Sequence, residues 1–191
     1  MPQVLNQSYN QLVEKAQVLF WTKGYKGVKA QELAEHLDVS TSVIYNKYTK
    51  DMLFMDSLDY YTSNYSDPFL KQLRESTEGL DSLKMFFYAL IDALLDKTFP
   101  KSCLMVNTVV EMRNANQEII DVYQRYFDTL IKSYKVVLDK AIELGQIKYK
   151  EKKDEYAEFL LGVIFSVSIL YKIQEKEQLL EFIDEQLSFI E

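Results

Sequence analysis

The stretch Ala30-Gln-Glu-Leu-Ala-Glu-His-Leu-Asp-Val-Ser-Thr-Ser-Val-Ile-Tyr-Asn-Lys47 decides the fold. Its first half carries four apolar residues with the spacing of one helix face, which predicts a short helix over 30–37. Asp38-Val39 then makes a tight turn, and Ser40 is a suitable N-cap, because its hydroxyl can accept from the free amides of the following turn. A second short helix follows over 41–47. Two short helices joined by about three residues are typical of a helix-turn-helix unit.

A longer helix is predicted ahead of this unit. Apolar residues recur every three or four positions between residues 5 and 22 and form a single stripe. Gly24 is expected to end this helix. The first fifty residues therefore form a three-helix module, with the long helix supporting the two short ones.

The outward face of the third helix is small and polar. Thr41, Ser42 and Asn46 lie opposite Ile44 at 100° per residue, and such side chains can approach and bond base edges in the major groove. Tyr45 and Lys47 flank this face at positions suited to phosphates, and Lys50 opens the next helix. The predicted DNA-contacting residues are Lys29, Gln31, Thr41, Ser42, Val43, Tyr45, Asn46, Lys47 and Lys50.

Charge is unevenly distributed along the chain. The net charge is −7, yet residues 1–50 hold six lysines against four acidic side chains, while the other 141 residues hold 16 basic and 25 acidic ones. A mildly basic head on an acidic body suits a protein that touches phosphates at one end only. The longest uncharged apolar stretch, 159–171, has 13 residues, against the roughly 20 that span a bilayer. With one cysteine and no secretory signal, a cytoplasmic protein without membrane contact is expected.

The head resembles the N-terminal domain of the TetR family. The resemblance lies in Leu12-Val-Glu-Lys-Ala-Gln-Val-Leu-Phe-Trp-Thr-Lys-Gly-Tyr25, Glu32-Leu-Ala34, Val39-Ser-Thr-Ser-Val-Ile-Tyr-Asn-Lys-Tyr48 and Lys50-Asp-Met-Leu53, in that order and spacing. The family consists of dimeric transcriptional regulators, mostly repressors, that a small ligand releases from DNA. The resemblance therefore implies a homodimer, a palindromic operator of double-stranded DNA and a small-molecule effector.

Three positions depart from the family pattern. Val28-Lys29 stands where the family usually has hydroxyl residues that cap the second helix and contact phosphate. The expected cap is therefore missing, and Lys29 can supply the phosphate contact only as a point charge. Asp38 replaces a common glycine in the turn. One residue fewer than usual separates Tyr48 from Lys50. These departures give weight to an alternative function, a helical adaptor with lost or altered DNA binding.

The remaining chain is predicted to be helical too, which makes the protein all-α with about nine helices. Only 5 glycines and 3 prolines interrupt 191 residues. Residues 1–50 form the DNA-binding domain, and residues 51–191 form a larger helical domain for ligand binding and dimerisation. The further helices are predicted over 50–75 with a break at Asp67-Pro68, then 80–97, 102–112, 117–144, 154–173 and 176–189.

The last two helices are predicted to form half of a four-helix dimer interface, the place where the resembled family dimerises. The eighth helix is apolar nearly all round over 159–171, as expected for burial on several sides. A purely intrachain core is the alternative explanation. The candidate interface residues are Gly162, Ser166, Leu170, Leu179, Leu180, Ile183 and Leu187.

The middle helices are expected to hold the ligand site, since aromatic and methionine side chains suit an apolar effector. The alternative is that the same residues form ordinary core. Cys103 resembles a cysteine that senses electrophiles or oxidants in one TetR branch, with Ser102 where glycine is usual; a small buried structural residue is the other interpretation. The candidates are Phe86, Phe87, Leu90, Cys103, Met105, Asn107, Val109, Glu111, Met112, Tyr123, Tyr126, Phe127 and Phe165. Asn107 and Glu111 either bond a ligand or hold helices together.

Catalysis finds little support in the sequence. The chain has one histidine, His36, and one cysteine, which cannot build a standard zinc site. No glycine-rich phosphate loop or nucleophile elbow is present. The sequence thus predicts a regulator and not an enzyme, without cofactor or metal.

Overall fold

A computed structural model describes residues 8–96, 102–112 and 117–191, and every regular element in them is helical. Residues 1–7, 97–101 and 113–116, which include the predicted start of the first helix and the predicted end of the fifth, lie outside the described residues. The elements are α1 (Tyr9–Gly27), α2 (Ala30–Leu37), α3 (Thr41–Asn46), α4 (Lys50–Tyr61), a π-helical turn (Thr62–Ser66), α5 (Asp67–Glu75), α6 (Leu80–Leu95), α7 (Leu104–Glu111), α8 (Gln117–Glu143), a 3-10 turn (Lys150–Lys152), α9 (Lys153–Leu170) and α10 (Lys176–Ser188).

The predicted all-α fold is confirmed, with one helix divided. The π-helical turn splits the predicted fourth helix into α4 and α5 several residues before the expected break. Pro68 has no amide to bond the carbonyl of Asn64 in α-helical fashion. The side chains of Thr62 and Asn64 also bond carbonyls one turn back, each at 2.9 Å. The helix widens to π-helical geometry over Thr62–Ser66, where both effects act.

The chain divides into two compact units. The first contains the described residues up to Ser66 together with Leu104–Tyr123, and the second contains Asp67–Cys103 and Gln124–Glu191. The sequence-based boundary follows residue 50, whereas the contacts place α4 and α7 in the same unit as the helix-turn-helix. None of the helices in the described ranges is long and apolar enough to cross a membrane.

In the first unit, α1 packs against α2, α4 and α7. Phe20 of α1 is fully buried and meets Phe54 of α4 edge-on at 5.1 Å. Trp21 lies edge-on to Tyr61 and Tyr65, with ring centroids 4.9 and 5.1 Å apart. These aromatic contacts fix the first helix on the fourth.

In the second unit, α10 packs against α6, and α6 also contacts α5 and α9. Asp184 of α10 accepts from Tyr88 of α6 at 2.7 Å and pairs with Lys84 at 2.8 Å. Tyr134 of α8 is fully buried, edge-on to Phe86 and stacked on Phe87. Burial raises the pKa of the Tyr134 phenol far above its usual range.

The turn between α2 and α3 follows the sequence except at its cap. Asp38 adopts the left-handed conformation, φ 54° and ψ 48°, at the position where the resembled family often has glycine. Ser40 is the N-cap residue of α3, but its predicted cap hydrogen bond is wrong. The amide of Val43 already bonds the Ser40 carbonyl at 2.9 Å, and the Ser40 hydroxyl lies 3.0 Å from that of Ser42.

The left-handed turn yields a stability prediction. Because alanine tolerates this conformation poorly and glycine adopts it freely, Asp38→Gly is expected to be more stable than Asp38→Ala by about 1 kcal/mol. Urea unfolding of the two variants measures the difference. Equal midpoints would show that the turn does not constrain residue 38.

Candidate nucleic-acid interface

Helix α3 is held by one buried side chain and presents the rest of its surface outward. Ile44 is almost fully buried, while Thr41, Ser42, Tyr45 and Asn46 are exposed, Tyr45 by 67%. Val43 is half-buried, and its carbonyl accepts from the amides of both Lys47 and Tyr48 at 2.9 Å, which closes the helix. The short helix is therefore anchored at Ile44 and presents polar side chains to solvent.

Two polar side chains of α3, Ser42 and Asn46, have hydrogen-bond partners close by. The Asn46 carboxamide donates to the Ser42 carbonyl at 2.9 Å, so this side chain lies along the helix one turn back. Thr41, Ser42 and Asn46 together form an exposed surface of hydroxyls and one amide, which we call the recognition surface. Groups of this kind can donate to and accept from base edges.

The N-terminus of α2 lacks a side-chain cap, as the sequence predicts. Lys29 occupies the cap position in an extended conformation, without a side-chain hydrogen bond to the helix. It is exposed, which leaves its ammonium able to reach an anion. Gln31, two residues further along, donates to Glu35 at 3.0 Å.

Two other lysines of the head have partners within the head itself. Lys23 pairs with Glu32. The ammonium of Lys50 lies 4.1 Å above the ring of Tyr25, and burial lowers its pKa. The Tyr25 hydroxyl donates to a neighbouring carboxylate, that of Asp51, which together with burial raises the pKa of Tyr25 to about 12.

Three of the predicted phosphate contacts are exposed, Lys29, Tyr45 and Lys47. The ammonium of Lys47 lies 4.8 Å above the ring of Tyr48, and that ring packs on Tyr9. The Lys47 ammonium therefore lies over an aromatic pair formed by Tyr48 and Tyr9. His36 is also exposed, with Nε2 3.2 Å from the Lys15 carbonyl.

The predicted ligand-contacting residues are divided between the two units. The part in the second unit includes a continuous aromatic group in which Phe127 contacts both Tyr126 and Phe165, at 5.5 and 5.2 Å. Cys103 is only 4% exposed, and its sulfur lies 3.6 Å from the Tyr126 hydroxyl. Such burial favours the structural interpretation of this thiol. Phe86 and Phe87 are buried and Leu90 is half-buried in the same unit.

The remaining predicted ligand contacts belong to the first unit. Met105 is fully buried and Tyr123 is buried, whereas Asn107, Val109 and Met112 are half-buried. Glu111 hydrogen bonds to backbone at the end of α1, with its carboxylate 2.8 Å from the Tyr25 amide. The structure thus gives this carboxylate the second of its two predicted roles, the joining of helices.

A cavity in the second unit lies between α5 and α6. Its volume is about 340 Å³, within the range of small-molecule sites. Phe86 is the one predicted ligand contact that lines it. The other lining residues are Phe69, Gln72, Leu73, Ser76, Glu78, Asp81, Ser82, Met85 and Ala89.

The predicted interface residues differ in how far a single chain covers them: three are buried, one is exposed and three are half-buried. Leu179, Ile183 and Leu187 are buried inside the second unit of a single chain, so they offer no surface to another chain. Gly162 is exposed, and a Cβ added there would meet nothing within 4 Å. The half-buried members are Ser166, Leu170 and Leu180.

Comparison with known proteins identifies the family. A sequence model of the tetracyclin repressor-like C-terminal domain matches residues 79–187, more than half of the chain. The chain belongs to the TetR family of helix-turn-helix transcriptional regulators. It is thus a regulator and not an enzyme. No group of His, Cys, Asp and Glu side chains within the described ranges could hold a metal ion.

Individual relatives agree with this assignment. The chain is 21% identical to the HTH-type transcriptional regulator YezE of Bacillus subtilis, covering 94% of both proteins. It is 24% identical to the HTH-type transcriptional repressor ComR of Escherichia coli, over 82% of this chain and 76% of ComR. A cysteine-substituted variant of the TetR regulator CifR, solved with 26-bp double-strand operator DNA, is 18% identical, covers both chains fully and has a TM-score of 0.82.

Two features of this TetR-family chain escaped the sequence analysis. Ile169 and Ile173 are 51% and 79% exposed; Ile169 extends the line of Gly162 and Ser166 along α9, and Ile173 lies in the turn that follows the helix. Their spacing was visible in the sequence, but the nearly all-apolar helix hid which face a single chain leaves open. The cavity residues Phe69 and Met85 lie on helices whose apolar spacing looks like ordinary core.

The missing cap of α2 yields a second stability prediction. In Lys29→Ser the hydroxyl can accept from the amides of the first turn, so the variant is expected to be more stable than the unsubstituted protein by about 1 kcal/mol. Chemical unfolding measures the gain, with Lys29→Ala as the control that removes the lysine without adding a cap. If both variants shifted stability alike, the cap would not be the cause.

Proposed function

We propose that this protein is a homodimeric repressor that binds a palindromic operator and is released by a small effector. The observation that carries the proposal is the exposed recognition surface on α3, anchored by Ile44 and flanked by Lys29 and Lys47. ComR is named a repressor, and CifR was solved on operator DNA. A protein of this kind acts where the chromosome is, in the cytoplasm.

In the proposed complex, the recognition surface faces base edges in the major groove while lysines and Tyr45 contact phosphates. Asn46 is the side chain best suited to a base, since a carboxamide can pair bidentately with adenine. Two heads related by a two-fold axis would bind half-sites about one helical turn apart, roughly 34 Å.

Substitutions on α3 separate base contacts from phosphate contacts. Asn46→Ala is expected to cost about 1–3 kcal/mol of operator binding and to relax the preference at one base pair. Lys47→Ala is expected to weaken binding to all sequences and to reduce the salt slope by about 1. Titration of duplexes selected from a random pool, at several salt concentrations, measures both effects.

The same experiment tests the proposal as a whole. If no duplex, selected or from the regulator's own promoter region, showed salt-sensitive binding, the repressor proposal would fail. The alternative function, a helical adaptor, is favoured by the absent cap at Lys29 and by the engagement of Lys50 with Tyr25. A double Tyr45→Ala, Asn46→Ala variant should leave an adaptor active and abolish operator binding.

The proposed dimer uses a stripe along α9. On the side that a single chain leaves uncovered, this stripe contains Gly162, Ser166 and Ile169 at helical spacing, and the exposed Ile173 follows in the turn after the helix. The small residues at one end allow a close helix approach, and the isoleucines supply apolar area. Leu170, Leu180 and the exposed Phe189 extend the apolar surface on α9 and α10.

A charge placed in this stripe should dissociate the dimer. Ile169→Glu buries an unpaired carboxylate in the proposed interface, which is expected to weaken association by at least about tenfold. Analytical ultracentrifugation measures the monomer–dimer equilibrium. Val18→Glu, a charge on an exposed apolar residue of α1, is the control. A dimer unchanged by Ile169→Glu, or a monomeric unsubstituted protein, would contradict the proposed interface.

The effector is proposed to bind in the second unit, to an apolar or aromatic surface. The cavity between α5 and α6 and the aromatic group around Phe127 are the two candidate positions. Binding there would favour one of two dimer states over the other and so lower operator affinity. A thermal-shift screen of small aromatic and aliphatic compounds, followed by operator titration with each hit, tests this part.

Cys103→Ser tests the thiol: an unchanged response to oxidant would exclude a sensing role.

A further inference from the structure

The carboxylate of Glu111, at the C-terminal end of α7, binds the backbone at the end of α1. One oxygen accepts from the Tyr25 amide at 2.8 Å and the other from the Lys26 amide at 2.5 Å. The Lys26 ammonium in turn donates to the Glu111 carbonyl at 2.7 Å. These three bonds, which we call the Glu111 clamp, join residues 85 and 86 positions apart in the sequence, and all of them lie within the first unit.

The clamp depends on a backbone conformation that glycine supplies. Gly24 interrupts α1 with φ 72° and ψ 169°, a region that other residues scarcely enter. This break lets the two following amides point at the carboxylate and not at carbonyls of the preceding turn. A Cβ at Gly24 would lie 2.6 Å from a Glu111 oxygen. The absence of a side chain is therefore needed both for the backbone conformation and for the approach of the carboxylate.

The clamped turn leads directly into the helix-turn-helix. Val28 follows it and is buried, and the Lys29 carbonyl accepts the first α2 hydrogen bond, from Leu33 at 2.9 Å. Because α2 has no side-chain cap of its own, its start is held by the burial of Val28 and by the pair between Lys23 and Glu32, and the clamp acts on the turn just before it. The carboxylate on α7 thus binds the chain at residues 25 and 26, just before the DNA-contacting helices.

We propose that Glu111 is a positioning residue for operator binding, although it contacts no DNA itself. This inference rests on the proposed function and deepens it. With the clamp intact, the turn at 24–28 holds α2 and α3 in the arrangement that fits the major groove. Without the clamp, the head samples other arrangements, and operator binding must select the competent one.

Glu111→Gln tests the proposal with little change of shape. One of the two acceptor atoms becomes a donor and faces an amide. We expect operator affinity to fall by about tenfold, as for loss of a charge-assisted hydrogen bond. Affinity for non-specific duplex should stay within about twofold, and the salt slope should not change, because no phosphate contact is lost. Glu118→Gln, the same substitution at an exposed carboxylate near the start of α8, is the matched control and should bind like the unsubstituted protein.

A second measurement tests the clamp without DNA. Hydrogen exchange of the Tyr25 and Lys26 amides, followed by NMR, should be at least about tenfold faster in Glu111→Gln while core amides of α1 exchange as before. Gly24→Ala should also weaken operator binding, and by a smaller factor when Glu111→Ala is already present, because the steric clash with the carboxylate is then gone.

The outcomes separate this inference from the proposed function. If the unsubstituted protein binds a selected operator and Glu111→Gln binds it equally well, the positioning role is refuted and the proposed function stands. An equal loss on specific and non-specific duplexes would also refute it, since that is the result of general unfolding. If the unsubstituted protein binds no duplex, the proposed function fails and the role in operator binding fails with it. Unchanged exchange at Tyr25 and Lys26 would refute the clamp itself.

Discussion

The proposed DNA-binding surface depends on the packing of the buried Ile44 side chain. A helix of six residues such as α3 is far below the length at which an isolated helix is stable in water. Its shape therefore comes from packing against α2 and from the carbonyl of Val43, which accepts two closing bonds. Because only one side of α3 is anchored, its polar residues stay outward. The packing of Ile44 thus both orders α3 and keeps its polar residues exposed.

Much of this architecture follows from the sequence because apolar spacing is a strong signal. The helices over 30–37 and 80–95 were predictable from periodicity, and the recognition surface from its position opposite Ile44. Two departures from the family pattern are also informative. Asp38 and Ser102 stand where glycine is common, and both have positive φ, 54° and 117°. A glycine in a family pattern thus indicated backbone conformation even where this chain has replaced it.

Other features depend on contacts that spacing does not encode. The π-helical turn arises from Pro68 acting together with two side chains that bond carbonyls, and its position cannot be read from the proline alone. The covered state of Leu179 and Ile183 depends on where α10 meets α6. The role of Glu111 required partners 85 and 86 residues earlier in the chain. Such pairings are set by tertiary structure, and a single sequence read by itself does not say which residue is the partner.

The packing of Trp21 has a practical consequence. It is the single tryptophan of the chain, it is largely buried, and two tyrosines meet it edge-on beside the π-helical turn. Excitation at wavelengths where tyrosine does not absorb therefore addresses one residue in the first unit. The emission of the unlabelled protein reports on the junction of α1 with the end of α4. Rearrangements in this part of the molecule can thus be followed in real time without attaching a dye.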